Sequence, residues 1–134
     1  MGVELEGFDK LIKTLEGLAG HDAAEAAMME GLAKVGNMIQ ETAKSNCPVD
    51  TGQLRNSIEV SKQENVVFIG TNVEYAPYVE YGTGRRGDPS VSHRQDWAGM
   101  PPQPFLYPAL QTHIPTIKTK VEEALREAIR KAGG

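Results

Sequence analysis

The string best suited to chemistry is Asp50-Thr51-Gly52, the tripeptide that carries the catalytic aspartate of aspartic proteases. A single copy could work only in a homodimer, where two carboxyls share one proton. That chemistry needs the tripeptide at the end of a hydrophobic strand. Here it follows a long helical pattern and Asn46-Cys47-Pro48. The structural alternative is that the Asp50 side chain caps the turn made by Thr51-Gly52. A small homodimeric aspartic-type hydrolase using Asp50 is therefore the enzyme reading, and its sequence context weighs against it.

Other reactive residue types are dispersed. Cys47 has no cationic cluster beside it to lower its pKa and no Cys-His signature, so it reads as a small packed apolar side chain. His21, His93 and His113 lack the spacing that puts two ligands on one helical turn. Gly82-Thr83-Gly84-Arg85-Arg86 has glycines and cations but not the strand, glycine spacing, lysine and following helix of a phosphate-binding loop. The expectation is no catalytic residue, no metal site and no cofactor.

A set with binding character remains. Tyr75, Tyr78 and Tyr81 fall within seven residues, and Arg85, Arg86, Arg94 and the single tryptophan, Trp97, share one Gly/Pro-rich stretch. Tyr, Trp and Arg dominate interface energetics because each combines large area with a polar handle. These seven residues are the candidate subunit or partner contacts. For Tyr75 and Tyr78 the alternative is that they plug the core beside a hairpin. A nucleic-acid module built on the three arginines and Trp97 would bind with steep salt dependence, but a net charge of −4 opposes it.

The elements that must position these residues follow from apolar periodicity. Val3 and Leu5 alternate with polar residues as in a short strand. Phe8, Leu11, Ile12, Leu15 and Leu18 fall on one helical face, and Asp22 with Glu25 has capping-box spacing. A helix over about 23–45, roughly 35 Å long at 1.5 Å per residue, carries Met28, Leu32, Val35, Ile39 and Ala43. Its small residues, Gly31 and Gly36 among them, permit close approach of another element. Pro48 ends it, and residues 50–56 read as a cap and a short turn or helix. Residues 57–71 read as a β-hairpin with Ile58, Val60, Val67 and Ile69 on buried faces. Pro77 argues against a central strand over residues 75–81 and favours a short helix. Residues 82–103 lack apolar period and exceed the usual loop length. Pro104 and Phe105 then open a C-terminal amphipathic helix with Ile114, Ile117, Val121, Leu125 and Ala128 as its stripe.

The fold class expected is α+β: a small antiparallel sheet including the hairpin, packed against the long helix and the C-terminal helix. A chain of 134 residues is one domain's worth, with a long irregular loop over about 82–103. With 40% hydrophobic and 24% charged residues, disorder of the whole chain is excluded. No window approaches about 18 uninterrupted apolar residues, and the N-terminal residues lack a secretory pattern. One cysteine cannot form an internal disulfide, which suits a reducing cytosol.

Three blocks together resemble one family. They are Cys47-Pro48-Val49-Asp50-Thr51-Gly52-Gln53-Leu54-Arg55-Asn56-Ser57-Ile58, then residues 67–83 with Gly70-Thr71-Asn72-Val73-Glu74-Tyr75-Ala76-Pro77-Tyr78-Val79-Glu80-Tyr81-Gly82, then Pro101-Pro102-Gln103-Pro104-Phe105-Leu106-Tyr107-Pro108-Ala109-Leu110. In this order they look like the neck or tail-completion proteins at the head–tail junction of long-tailed bacteriophages. In that resemblance Pro48, Asp50, Thr51, Gly52, Gly82, Pro104 and Phe105 are structural motif residues. It implies a non-enzymatic virion protein, made in the bacterial host cytoplasm. It further implies a homo-oligomeric ring, with the tail's six-fold symmetry, stacked between head-closure and tail-terminator proteins. Such a ring lets DNA pass without sequence-specific binding and needs no membrane.

Overall fold

The computed structural model describes residues 8–48, 52–64, 66–82, 86–88 and 99–134. The N-terminal strand, Asp50, Thr51, Arg85, His93, Arg94 and Trp97 of the sequence reading lie outside the described residues.

Among the described residues, five helices and one hairpin follow in the order α1 (Asp9–Ala19), α2 (His21–Asn46), α3 (Gln53–Ser57), β1 (Glu59–Gln63), β2 (Val66–Gly70), α4 (Ala76–Tyr81) and α5 (Leu106–Lys131). The two strands pair with each other in a two-stranded sheet. Glu64, at a φ of 50°, makes the left-handed turn between them. This is the α+β class that the periodicities predict, with helix content dominant.

Chain contacts divide into two compact units. The first holds Met1–Met38, Val60–Phe68 and Thr112–Gly134. Its core includes Phe8, Leu15, Ala24, Ala27, Val35, Ile117, Val121, Ala124 and Leu125, all buried. Ala24 with Ala27 in α2, and Ile117, Val121, Ala124 and Leu125 in α5, fall at the three- and four-residue steps by which an amphipathic helix covers one face. Leu15 and Val35 lie about two turns on from Phe8 and Ala27, at seven and eight residues. Within this unit α2 meets α5 at Gly31. A Cβ placed there would stand 2.7 Å from the Val121 Cα and 2.9 Å from the Lys120 carbonyl oxygen. Here the small-residue composition of α2 is used: one missing side chain lets two backbones meet.

The second unit holds Ile39–Glu59 and Ile69–Gln111. Ile39, Ala43, Cys47, Leu54, Ile58, Ala76, Phe105 and Ala109 are buried in it. The Gln40 amide donates to the Ile58 carbonyl at 2.7 Å, satisfying a backbone acceptor just before β1.

Two expectations need correction. Asp22 does not cap α2. The helix begins at His21, so Asp22 sits inside its first turn, and Gly20, at φ 96°, makes the break from α1 that no side chain with a Cβ makes easily. Nor does the hairpin provide deep core. Ile58 is buried but precedes β1, Val60, Val67 and Ile69 are only half-buried, and Val66 and Phe68 are 48% and 51% exposed. A two-stranded ribbon covers few residues by itself.

The helical junction carries a titratable contact. His21 Nδ1 lies 3.2 Å from Glu16 Oε2, and its Nε2 lies 3.8 Å from Glu25 Oε1. The hydrogen bond to Glu16, then the Glu25 charge, hold the imidazole pKa above its ordinary value. A raised folded-state pKa contributes stability that is complete below the unfolded-state value and fades as pH rises through the folded one. His21 is fully exposed, so the effect is small. We expect an NMR titration to place the His21 midpoint above that of a free histidine, and Glu16→Gln to move it back. Identical midpoints in the two proteins would contradict the contact.

Candidate functional site

The aromatic candidates are carried by α4 and the turn before it. Pro77 occupies the first turn of that helix, where its missing N–H costs nothing. Tyr75, Tyr78 and Tyr81 recur at three-residue spacing, so they share one side of the helix. They are 38%, 58% and 43% exposed, and Tyr107 at the start of α5 is 51% exposed. These are all four tyrosines of the chain, and none is buried. The alternative in which Tyr75 and Tyr78 plug a core is therefore overturned: the buried member of this stretch is Ala76. Exposed aromatic rings gathered on one side of a helix mark a candidate contact surface.

Behind the tyrosines is a residue that the sequence reading did not single out. The Glu80 carboxylate accepts the Phe105 N–H through Oε2 at 2.6 Å and the Tyr107 N–H through Oε1 at 2.8 Å. Phe105 immediately precedes α5 and Tyr107 lies in its first turn, where backbone amides have no intrahelical acceptors. A carboxylate there also faces the positive end of the helix dipole. Nearby, the Gln103 N–H donates to the Val79 carbonyl at 2.8 Å, and the Asn46 side chain donates to the Phe105 carbonyl at 3.4 Å. Phe105 itself is 1% exposed. Gly82 closes the group. Its φ is 78°, and a Cβ would stand 2.6 Å from the Met100 carbonyl oxygen and 2.8 Å from the Pro102 nitrogen. The motif glycine and the Pro-Phe motif thus fasten both ends of the stretch at 82–103 to α4.

Replacing Glu80 by Ala should cost about 2 kcal/mol, because two backbone donors lose a charged acceptor in a half-buried place. Glu80→Gln, which keeps one acceptor oxygen, should cost about half as much. Urea unfolding measures both, and an alanine variant as stable as the parent would refute the capping role.

An apolar cleft of about 440 Å³ opens alongside, lined by Gly70, Thr71, Asn72, Val73, Glu74, Ala76, Pro77, Glu80, Tyr81, Phe105 and Leu106. The Ser57 and Thr71 hydroxyls share a hydrogen bond of 2.5 Å, and Thr71 Oγ1 also accepts the Val73 N–H at 3.1 Å. These bonds fix the chain as it leaves β2. Among the described residues, no histidine, cysteine or lysine lines the cleft. Among the described residues, no three His, Cys, Asp or Glu side chains gather as a metal site would require. Cys47 is buried, and burial pushes its thiol pKa up against a smaller opposing pull from Arg55. That favours an unreactive thiol. Gly52, at φ 77°, opens α3.

A family model described as "Bacteriophage HK97-gp10, putative tail-component" matches residues 9–82, more than half of the 134 in the chain. The chain belongs to this phage tail-component family. A tail component is a virion-associated protein, and the match takes in α1 to α4 and the hairpin, with all three clustered tyrosines. It ends at Gly82, so α5 and the arginine-bearing stretch before it lie beyond the matched residues. Comparison with curated proteins and with solved structures gave no match. Of the seven interface candidates, the structure brings Tyr75, Tyr78 and Tyr81 together on α4 and leaves Arg86 exposed, while Arg85, Arg94 and Trp97 lie outside the described residues. Val66 and Phe68 are exposed apolar residues that the sequence reading did not name as contacts.

Proposed function

We propose that this chain is a structural protein of the phage head–tail junction, acting in neck formation or tail completion. It assembles as a ring between head-closure and tail-terminator proteins, and DNA passes through without sequence-specific contact. The observation that carries the reading is the exposure of every tyrosine, in a member of a tail-component family. A cyclic ring uses heterologous interfaces, so each subunit must present two different adhesive surfaces. The tyrosine side of α4 is one. The stretch at 82–103, with Arg85, Arg86, Arg94 and Trp97, supplies the other and reaches a neighbouring subunit or the adjacent ring.

An acidic chain suits a conduit, because a net charge of −4 gives the duplex nothing to hold to. No side-chain chemistry is needed for this role. Negative-stain electron microscopy of the purified protein, alone and with head-closure and tail-terminator proteins, tests the reading. Rings are the expected result, and monomers under every one of these mixtures would refute it.

A further inference from the structure

The cleft beside α4 has an apolar floor and an acidic rim. Ala76 and Phe105 are buried in its floor, Glu80 is half-buried, and Glu74 and Tyr81 are exposed at its rim. Among the described residues, no cationic side chain lines it. Glu74 makes no ion pair among the described residues, and the Glu80 oxygens, each accepting one N–H, retain a free lone pair for a further donor. Such a site suits a long aliphatic stem ending in a delocalised cation. The stem covers the apolar floor, the head meets the carboxylates, and the Tyr81 ring can take a guanidinium on its face.

The chain itself offers that group. Arg86 is exposed, forms no ion pair among the described residues, and does not line the cleft of its own molecule. We propose that the cleft rimmed by Glu74, Glu80 and Tyr81 is the socket for Arg86 of a second copy. Donor and socket are different surfaces of one subunit, so the contact is heterologous and propagates from copy to copy until a ring closes. Charge complementarity selects this occupant: two carboxylates with no cationic partner among the described residues face, across the interface, an arginine with no anionic partner among them. The inference rests on the ring-forming reading above and gives it a location.

The test is a charge exchange. Glu74 and Arg86 are exposed, so Glu74→Arg and Arg86→Glu should fold and melt as the parent does. Light scattering coupled to size exclusion follows mass against concentration for the parent, both single variants and the double variant. The parent should self-associate, each single reversal should weaken association about tenfold or more by setting like charges together, and the double variant should recover it. Association that survives both single reversals would leave the cleft to a different protein and overturn the socket while sparing the ring. Loss in the single variants without recovery in the double variant would also overturn it. A parent that stays monomeric up to its solubility limit would overturn the ring reading, and the socket with it.

Discussion

Gly82→Ala should lower stability by about 3 kcal/mol, and with it the melting temperature on the order of 10 °C for a chain of this length. Two costs add. With φ at 78° and ψ at −177°, Gly82 occupies a backbone region that is essentially glycine's alone, and any other residue there carries about 1–3 kcal/mol of strain. The new methyl would also meet the Met100 oxygen at 2.6 Å, the Pro102 nitrogen at 2.8 Å and the Gly87 Cα at 2.9 Å. These are backbone atoms, and no rotamer change moves them aside. Because the Gln103 amide bonds to Val79 and the Phe105 and Tyr107 amides to Glu80, the damage should spread there first. Hydrogen exchange at those three amides should accelerate before the helices of the first unit are affected. A variant melting within about 2 °C of the parent would show that the approach is not obligatory.

Gly31→Ala tests the other unit, and its sign is the informative part. In an exposed helix the substitution is favourable by up to about 1 kcal/mol. Gly17 in α1 is such a place, with nothing within 4 Å of an added Cβ, so Gly17→Ala should raise stability by about 0.5–1 kcal/mol. At Gly31 the same methyl would strike the Val121 Cα and the Lys120 backbone, so α2 and α5 would have to separate where Val121 is buried. A net loss of about 2–3 kcal/mol is expected after the helical gain is subtracted. Differential scanning calorimetry on the pair decides it. Both variants moving upward would mean that the helices do not meet at this glycine.

Much of this architecture is legible in the sequence because helix faces repeat. The three- and four-residue spacing of Leu15, Val35, Ile39, Val121 and Leu125 marks buried faces directly, and each of these residues is buried. Pro77 places α4 correctly because a missing N–H is tolerated in a helix's first turn. Less is legible where a partner group lies far along the chain. Asp22 has the spacing of a cap, but the break falls two residues earlier than a cap at Asp22 requires, because Gly20 reaches a backbone region closed to other residues. Strand alternation in Val66–Gly70 shows two faces without saying which will be covered, and the face with Val66 and Phe68 is the open one.

The site divides in the same way. Three tyrosines at three-residue spacing announce one helix face once a helix is assigned, but only their exposure shows that this face is surface and not core. Glu80 announces nothing, since its two acceptor bonds go to residues 25 and 27 positions later. Cys47, by contrast, reads correctly as a packed side chain from its lack of a flanking cationic cluster, and burial, which outweighs the pull of Arg55, pushes its thiol pKa up.

The most direct measurement is on the particle. A phage whose copy of this gene carries an early stop codon, grown in a host that cannot suppress it, should accumulate DNA-filled heads and finished tails that remain separate in electron micrographs. Supplying the protein from a plasmid should join them. Complete, infectious particles formed in the absence of the protein would contradict the account at its centre.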